Sequence, residues 1–469
     1  MMAVSANHEG GFFIMDKDLV LEWIKSNNLK ELHEYLKKQN VVDIAEFLHE
    51  LDDSTLAIFF RILEKEEAAN VFSYLDNEER NRLIKTFNNA EIVNVINELY
   101  SDDAIDFLSD MPANLVTQLL DKVDDGVRKD INHLLKYKDD TAGSIMTVEF
   151  IEFTKEMTVA DALAKIKRVG IDSETVYTCY VVENRKLIGI VSAKSLMLSD
   201  SDVPIKDIMK TEFIYAYTSD DKEDIAKKMK KYDLIALPVL DVENCIVGIV
   251  TFDDAIDVLT EETTEDMQKM AAIVANDKPY LTTSVWEHAR SRIVWLLILM
   301  FSATLTGSII SNYEHAFEVM PVLVSFIPML MDTGGNCGSQ SSTLIIRGLA
   351  IDEIKFSDFF KVVFKEFRIS IVVGIVLGLA NGIRIVVLNH DVYLAIVVSV
   401  SIIVTVMISK FVGCVLPIIA KRLKMDPAIM AAPLITTIVD TLAIMVYFSI
   451  ASQIFRHSAS EKPQSRKIL

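Results

Sequence analysis

The stretch from Pro321 to Ala350 reads PVLVSFIPMLMDTGGNCGSQSSTLIIRGLA. Two apolar flanks enclose a polar, glycine-rich centre made of Asp332, Thr333, Gly334, Gly335, Asn336, Gly338, Ser339 and Gln340. Irregular backbone at membrane depth is tolerated only inside protein or along a water-filled path, because lipid cannot pair its N–H and C=O groups. We therefore interpret the stretch as an interrupted membrane span that lines a polar path. The alternative is a kinked helix whose small residues permit close packing.

Four further apolar stretches accompany this one, and each is long enough to cross a hydrocarbon core of about 30 Å. The five predicted spans are 293–310, 319–350 (interrupted), 369–388, 392–419 and 428–455. The N-terminus has no basic segment ahead of an apolar run, so no signal peptide is predicted. The sequence thus predicts an all-α membrane domain over 291–456 and a C-terminal tail over 457–469.

Lys and Arg are distributed unevenly around the spans. They occur before the first span and in the loops that follow the second and fourth spans, whereas the loops 312–318 and 389–391 contain neither. Because cytoplasmic loops are enriched in Lys and Arg, the soluble part is predicted to be cytoplasmic and the C-terminus to be outside. The tail disagrees, since it carries Arg456, Lys462, Arg466 and Lys467. The loops agree with one another and decide the assignment.

The charge of the chain is concentrated before the spans. Residues 1–290 have a net charge of −24 and residues 291–469 one of +4, which together give −20. An acidic field attracts multivalent cations and argues against nucleic acid, although acidity for solubility is a commoner reason for it. The four cysteines show no metal-binding spacing and suit reduced thiols.

A short repeat follows a flexible N-terminus predicted over 1–15. One apolar residue recurs every twelve positions, at Leu51, Leu63, Leu75, Phe87, Leu99, Met111 and Val123. This period fits one helix of about eight residues and a turn per unit, stacked so that a continuous apolar stripe is buried. The repeat predicts an α-solenoid-like domain over 16–135, with a plain helical bundle as the alternative.

A longer repeat occupies 136–258. The pattern around Met146 returns around Met209, and the Gly-Ile-Val segment at Gly189 returns at Gly248. Each copy is predicted to contain strands and helices in the same order, and the pair resembles tandem CBS modules, which often bind adenine nucleotides. In that family a Thr or Ser followed three positions later by Asp holds the ribose and phosphate, and Thr251 and Asp254 match this pattern. The first copy has Ser192 and Ser195 instead, so at most one nucleotide site is expected.

A connecting helix is predicted over 259–290, after a segment that is already acidic. Carboxylates stack on one face at spacings of three and four residues, at Asp254, Asp257, Glu261, Glu262, Glu265 and Asp266. Like charges at these spacings destabilise a helix unless they are neutralised, and a divalent ion with hard oxygen ligands would do so. A solvated surface face is the alternative.

Two acidic residues lie within the spans, where a charge costs about 2.5–3.5 kcal/mol on insertion scales. Asp440 is in the middle of the fifth span, with Thr436 and Thr437 before it, and Asp332 is in the polar centre of the second. Carboxylate and hydroxyl oxygens suit Mg²⁺, which retains its waters and is held through them. An ion pair of Asp440 with Lys410 or Arg384 is the alternative.

The order of these parts resembles the MgtE family of bacterial magnesium channels over nearly the whole chain. The most specific stretches are Thr333-Gly334-Gly335-Asn336, Gln340-Ser341, and Asp426-Pro427-Ala428 followed by Pro433-Leu434 and Asp440. The resemblance implies a homodimer in the bacterial cell membrane, with a pore between the subunits in which Asp440 binds the permeating hydrated Mg²⁺. The polar centre of the second span, Thr436 and Thr437 are then expected to line the pore.

The resemblance also implies a gate. The connecting helix is expected to plug the inner mouth of the pore, where Asp426 lies, and to be held there by cytosolic Mg²⁺ bound between acidic domains. The expected metal-binding residues are Asp440, Asp426, Asp102, Asp106, Asp254, Asp257, Glu262, Glu265 and Asp266. This sequence departs from the family at Asn70, where an acid is expected, and at Cys337, where Thr is usual.

The predicted fold is thus a multidomain α and α/β soluble part joined to an all-α membrane domain of five helices. The predicted function is a magnesium channel, not an enzyme, with Mg²⁺ as permeant and regulatory ion and adenine nucleotide as a further ligand of the CBS pair. Two rival functions are an ion-coupled divalent-cation transporter and a membrane sensor that transports nothing.

Overall fold

The computed structural model describes the backbone of residues 8–9, 12–13, 15–109, 111–276, 280–281, 283–312, 321–430 and 432–460. The chain divides into two compact units, residues 1–260 and residues 261–469. The flexible N-terminus predicted over 1–15 and the tail predicted over 457–469 lie largely outside the described residues. A two-stranded antiparallel pair, β1 (His8–Glu9) and β2 (Phe12–Phe13), precedes the first helix.

Short helices fill the first part of the first unit. They are α1 (Lys17–Lys25), α2 (Leu29–Leu36), α3 (Val41–His49), α4 (Asp53–Phe60), α5 (Lys65–Ser73), α6 (Asn77–Thr86), α7 (Asn89–Glu98), α8 (Ser101–Ser109), α9 (Ala113–Leu120) and α10 (Asp125–Leu134). Asp52, Asp76 and Asn88 cap the N-termini of α4, α6 and α7 by accepting backbone hydrogen bonds, which explains why each helix begins where it does.

The solenoid-like arrangement is confirmed, and the twelve-residue repeat has a physical explanation. The recurring apolar residues lie in the turns that follow the helices, where Leu51, Leu63 and Leu75 are buried. A turn residue that points inward anchors each helix to the next, so the core runs continuously through the stack.

The two CBS modules each contain a three-stranded sheet. The first has β3 (Glu152–Thr154), α11 (Val159–Val169), β4 (Thr178–Glu183), β5 (Lys186–Ser192) and α12 (Ala193–Leu198); the second has α13 (Ile205–Ile208), β6 (Ala216–Tyr217), α14 (Lys222–Tyr232), β7 (Ala236–Leu240) and β8 (Ile246–Thr251). The strand orders are β3-β4-β5 and β6-β7-β8, each with one parallel and one antiparallel pair.

The repeated methionines and glycines explain how the modules fit together. Met209 packs against Gly189 of the first module, and Met146 packs against Gly248 of the second. A Cβ at Gly248 would lie 2.7 Å from both the Met146 sulfur and the Thr147 carbonyl oxygen, so no larger residue fits without movement. Each module is therefore completed by a segment that belongs to the sequence repeat of the other.

Helix α15 (Phe252–Met270) begins directly after β8 and continues past residue 260 into the second unit. Its 19 residues make a rod about 28 Å long at 1.5 Å per residue. The connecting helix predicted over 259–290 is therefore wrong in its bounds: it begins at Phe252, as the last helix of the CBS pair, and ends at Met270.

The described residues of the second unit form five long helices. They are α16 (Val285–Asn312), α17 (Ile327–Ala350), α18 (Phe359–Asn389), α19 (Val392–Arg422) and α20 (Ala432–Ser460). Four stretches, within α16 and around α18, α19 and α20, are long and apolar enough to cross a membrane. Helices α17, α19 and α20 pack against one another, α18 packs on α19 and α16 on α20. The chain is a multi-pass membrane protein.

The predicted interruption of the second span is wrong. Helix α17 runs without a break from Ile327 to Ala350, and a short 3-10 helix (Pro321–Phe326) precedes it. The glycines sit at contacts with neighbouring helices, where a Cβ at Gly338 would lie 2.7 Å from Ile435 and one at Gly413 only 2.3 Å from the Gly338 carbonyl oxygen. The small residues serve close helix packing, which is the alternative that the sequence left open.

Candidate ion path and metal-binding clusters

A polar stripe runs along α17 on the side away from the glycines. Asp332, Asn336 and Gln340 are exposed and four residues apart, so they share one face, while Gly334, Gly335 and Gly338 are buried. The Asn336 amide donates to Asp332 Oδ1 at 3.1 Å. Polar groups exposed at this depth in one chain need water or another protein surface beside them.

Asp440 lies half-buried on α20 near this stripe. Asp332 is the charged group that acts on it electrostatically. The hydroxyls of Thr436 and Thr437 donate to the Pro433 carbonyl at 2.9 and 3.0 Å, which leaves their lone pairs as acceptors. The free lone pairs of these two hydroxyl oxygens can accept hydrogen bonds from the waters of a hydrated cation.

The alternative partners of Asp440 are engaged elsewhere. Arg384 contacts the sulfur of Met329 at 3.7 Å. Lys410 is buried beside Glu366, with 3.8 Å between their charged atoms, and Ser341 joins the two by hydrogen bonds of 2.7 Å to Glu366 and 3.1 Å from Lys410. Glu366 lies just before the third span predicted over 369–388, so the sequence analysis did not identify it as a buried membrane residue. The ion-pair interpretation of Asp440 is not supported by these contacts.

The Lys410–Glu366 pair gives a first prediction. Lys410→Met leaves Glu366 charged and unpaired in a buried site, so it should destabilise the membrane unit by about 3–5 kcal/mol. The double variant with Glu366→Gln removes both charges and should recover most of that loss. Thermal unfolding in detergent measures both, with the exposed Lys365→Met as a matched control. Equal losses in the single and double variants would contradict the pairing.

An acidic cluster lies within the first unit, where α8 meets the N-terminus of α15. It consists of Asp102, Asp103, Glu174, Asp253 and Asp254, with Glu149 nearby. Arg80 is the cation that acts on Asp103, and it also pairs with Asp106 at 3.2 Å. The negative charges of the cluster thus exceed the positive charge beside them.

Four carboxyl groups of the cluster have raised pKa values. Burial, and then the charges of Asp254 and Asp253, raise the pKa of Glu174 to about 8. Burial raises the pKa of Asp254 to about 7, although the hydrogen bond from Thr251 at 2.5 Å opposes the rise. Burial also raises the pKa of Asp103 to about 6 and that of Asp102 well above its usual range. Glu174 Oε2 is buried and accepts no hydrogen bond from the described residues.

The cluster contains some of the predicted residues and adds others. Asp102 and Asp254 lie in it, whereas Asp106 and Asp257 are exposed at its edge. The sequence reasoning missed Asp103, Asp253 and Glu174. The first two adjoin predicted residues, but Glu174 lies in an irregular segment between α11 and β4 with no pattern that singles it out.

The C-terminal end of α15 has a different arrangement. Lys269 contacts Glu265 at 2.8 Å and Asp426 at 2.7 Å, and these contacts raise its pKa despite partial burial. The Asp426 side chain also accepts a hydrogen bond from the Ala428 backbone at 2.8 Å. Glu265 and Asp426 were each predicted to bind metal, and a divalent ion held by both would have to displace the ammonium group that lies between them. Glu262 and Asp266 lie on the same helix.

The nucleotide pattern is present in one module. Thr251 donates to Asp254, whereas the equivalent positions of the first module hold Ser192 hydrogen-bonded to Ser195 at 2.9 Å. Asp254 therefore belongs both to the ribose pattern and to the acidic cluster. A cation and a nucleotide would share this carboxylate.

Comparisons with known proteins agree with this architecture. Family models match at 327–450, described as a divalent cation transporter, at 39–140, described as the MgtE intracellular N domain, and at 142–201 and 205–261, described as CBS domains. A solved structure described as the soluble part of a magnesium transporter is 31% identical, with a TM-score of 0.51, and the match covers 52% of this chain and 97% of that one.

Curated relatives match across both units. The magnesium transporter MgtE of Thermus thermophilus is 35% identical over 71% of this chain and 74% of its own length. That of Bacillus subtilis is 34% identical over 77% and 80%, and that of Enterococcus faecalis 34% over 70% and 72%. The predicted family, fold class and non-enzymatic function are confirmed by these matches. The chain belongs to the MgtE family of magnesium transporters.

Proposed function

We propose that this chain conducts Mg²⁺ across the membrane along the polar stripe of α17 and past Asp440. The observation that carries the proposal is the position of two carboxylates, Asp332 and Asp440, within electrostatic reach of each other in the membrane unit while Lys410 and Arg384 contact other groups. Two carboxylates near each other repel, and a divalent cation bound between them would remove that repulsion.

The donor set suits a hydrated ion better than a bare one. Mg²⁺ requires octahedral oxygen ligands and gives up its waters reluctantly. Acceptor oxygens are supplied by the carboxylates of Asp332 and Asp440 and by the hydroxyls of Thr436 and Thr437. Waters of the ion would fill the remaining distance and donate to these oxygens.

Two copies of the chain are proposed to enclose the path. In one chain the side chains of Asp332, Asn336 and Gln340 are exposed, and lipid against them would leave polar groups unsatisfied. A second copy placed against the same face would enclose a polar path lined by both stripes. In this assembly the soluble unit is cytoplasmic and the C-terminus is outside.

Cytosolic Mg²⁺ is proposed to close the channel by binding at the acidic cluster. Two like charges 4 Å apart repel by about 4 kcal/mol at an effective dielectric of 20, so a cation that relieves several such repulsions can favour one arrangement over another. Asp253 and Asp254 begin α15, and Lys269 lies in its last turn. The cluster and Lys269 thus belong to the same helix, and we propose that a rearrangement at the cluster acts through α15.

Lys269 is proposed to take over part of the role of a regulatory ion at the end of α15. Its ammonium already neutralises Glu265 and Asp426, so the contact needs no divalent ion to persist. Mg²⁺ dependence then resides mainly in the acidic cluster. Adenine nucleotide, if bound, is proposed to occupy the second module through Thr251 and Asp254 and to compete with cations for Asp254.

A flux assay tests the proposed function and its nearest rival. Purified protein in liposomes that contain a Mg²⁺ indicator should admit Mg²⁺ when the inside is made electrically negative, with no requirement for a pH gradient. The buried Lys410–Glu366 pair is the observation that favours a proton-coupled transporter instead. Flux that needs a pH gradient would support that rival, and no flux under any gradient would contradict transport altogether.

A further inference from the structure

A mixed cluster of one imidazole and two carboxylates lies in the helical repeats. Among the described residues, His49, Asp76 and Glu79 are the group whose ligand atoms all lie within 4.8 Å of one another. Ligands bound to one first-row ion at about 2.1 Å lie about 3–4 Å apart. Small side-chain movements would therefore bring the three atoms into one coordination sphere.

The three residues lie at the end of α3 and the start of α6, and Glu79 is the buried member while His49 and Asp76 are exposed. His49 is the last residue of α3, and Asp76 caps α6 by accepting the backbone N–H groups of Glu78 and Glu79 at 2.8 and 3.1 Å on its Oδ1. Glu79 stands one turn into α6, and its side chain is only 3% exposed. The cluster thus joins two repeats that are not adjacent in sequence, and its most buried ligand is anionic.

The Glu79 carboxylate needs a positive partner because it is buried. His49 Nδ1 hydrogen-bonds to its Oε1, and Arg82 Nη1 lies 3.9 Å from the same oxygen. Arg82 is itself engaged by Asp53 at 2.6 Å and by the Leu51 carbonyl. A metal ion bound to both His49 Nδ1 and Glu79 Oε1 would take the place of the hydrogen that now joins them. Binding to a protonated ring would release that proton to the solvent.

We propose that His49, Asp76 and Glu79 form a binding site for a first-row transition-metal dication, with water in the remaining positions. Imidazole nitrogen with carboxylate oxygen suits Mn²⁺, Co²⁺, Ni²⁺ and Zn²⁺, whereas Mg²⁺ is bound through oxygen and its own waters. The imidazole ligand would make the site prefer these ions to Mg²⁺, the ion that is proposed to be transported. It does not depend on the proposed transport function.

Co²⁺ is the probe, because its absorption spectrum reports nitrogen and oxygen ligation. The full-length protein in detergent is titrated with Co²⁺ chloride in millimolar Mg²⁺, which occupies the oxygen sites. The wild type should bind one more Co²⁺ per chain than His49→Gln, and Asp76→Asn, which keeps the helix cap, should lower the affinity of that site at least about tenfold.

Two matched variants control the experiment. His33→Gln changes a histidine that also faces a glutamate, Glu64 at 3.4 Å, but there Lys37 completes the group at 2.7 Å. Asp52→Asn changes a helix cap of the same type on α4. Both should bind Co²⁺ like the wild type, and melting temperatures verify that all four variants are folded.

Two results would overturn the proposal. One is an equal Co²⁺ stoichiometry and spectrum in wild type and His49→Gln. The other is an absence of Mg²⁺-resistant Co²⁺ binding to the wild type. A lowered melting temperature of His49→Gln in that case would show that the imidazole serves only as the hydrogen-bonding partner of Glu79.

Discussion

Asp440→Asn is expected to lower Mg²⁺ flux about 100-fold or more while the protein remains folded, because a unit charge and a dication 5 Å apart attract by about 7 kcal/mol at an effective dielectric of 20. The amide keeps the shape and the hydrogen-bonding capacity of the side chain but loses this attraction. Asp440→Ala should have at least the same effect. Liposome flux under an imposed membrane potential, at equal protein content, measures the loss.

The control for this variant is Asp391→Asn. Asp391 caps α19 by accepting from the Leu394 backbone at 3.0 Å, and Asn is an equally good cap, so flux should remain at the wild-type level. Asp332→Asn should give an intermediate loss, since the same ion would keep Asp440. Wild-type flux in Asp440→Asn would remove this residue from the path.

The second large effect is expected at the acidic cluster. The double variant Asp102→Asn with Asp254→Asn should leave channels conducting at the millimolar internal Mg²⁺ that is proposed to close the wild type, because the cation then loses two of the carboxylate charges proposed to hold it. Patch recordings with Mg²⁺ stepped on the cytoplasmic side measure closure. The control pair, Asp200→Asn with Asp202→Asn, removes two exposed charges from the same unit and should close normally.

The pH dependence of the cluster separates its role from that of the pore. Because the pKa values of Asp103, Asp254 and Glu174 are raised to about 6, 7 and 8, the protonated groups favour the folded unit at low pH, and this contribution is lost as the pH rises through those values. In the proposed gate, Mg²⁺ binds the carboxylates that have lost their protons. Closure by Mg²⁺ and stabilisation by Mg²⁺ should therefore both strengthen between pH 6 and pH 8, and closure that does not change over this range would contradict the assignment.

Periodic features of the sequence predicted the fold well. Leu51, Leu63 and Leu75 showed the helical repeat because one buried anchor per unit is enough to create a period, even though the anchors lie in turns. The paired motifs at Met146 and Met209 showed the two modules because the same contact is made twice. Such repeats can be seen in the sequence itself, without knowing which residues are in contact in the folded chain.

Features that depend on neighbours in space could not be predicted. The glycines of α17 predicted an interruption, but Gly413 of α19 lies against Gly338 and the helix continues, and nothing near Gly338 in sequence indicates that contact. Glu366 lies outside the predicted third span, and its ion pair with Lys410 could not be predicted from the residues around it in sequence. Glu174 joins the acidic cluster from an irregular segment. In each case the partner is distant in sequence, so composition alone cannot reveal it.

The exchange of contacts between Met146 with Gly248 and Met209 with Gly189 has a consequence for synthesis on the ribosome. The strands of the first module are all available once Ser192 has emerged, yet the glycine that receives Met146 is translated about 100 residues after that methionine, which takes roughly 5–20 s at 5–20 residues per second. During that interval Met146 has no partner, because Gly248 has not yet been made. The contact between the two modules can therefore form only after Gly248 has been made, shortly before translation of α16, which begins at Val285.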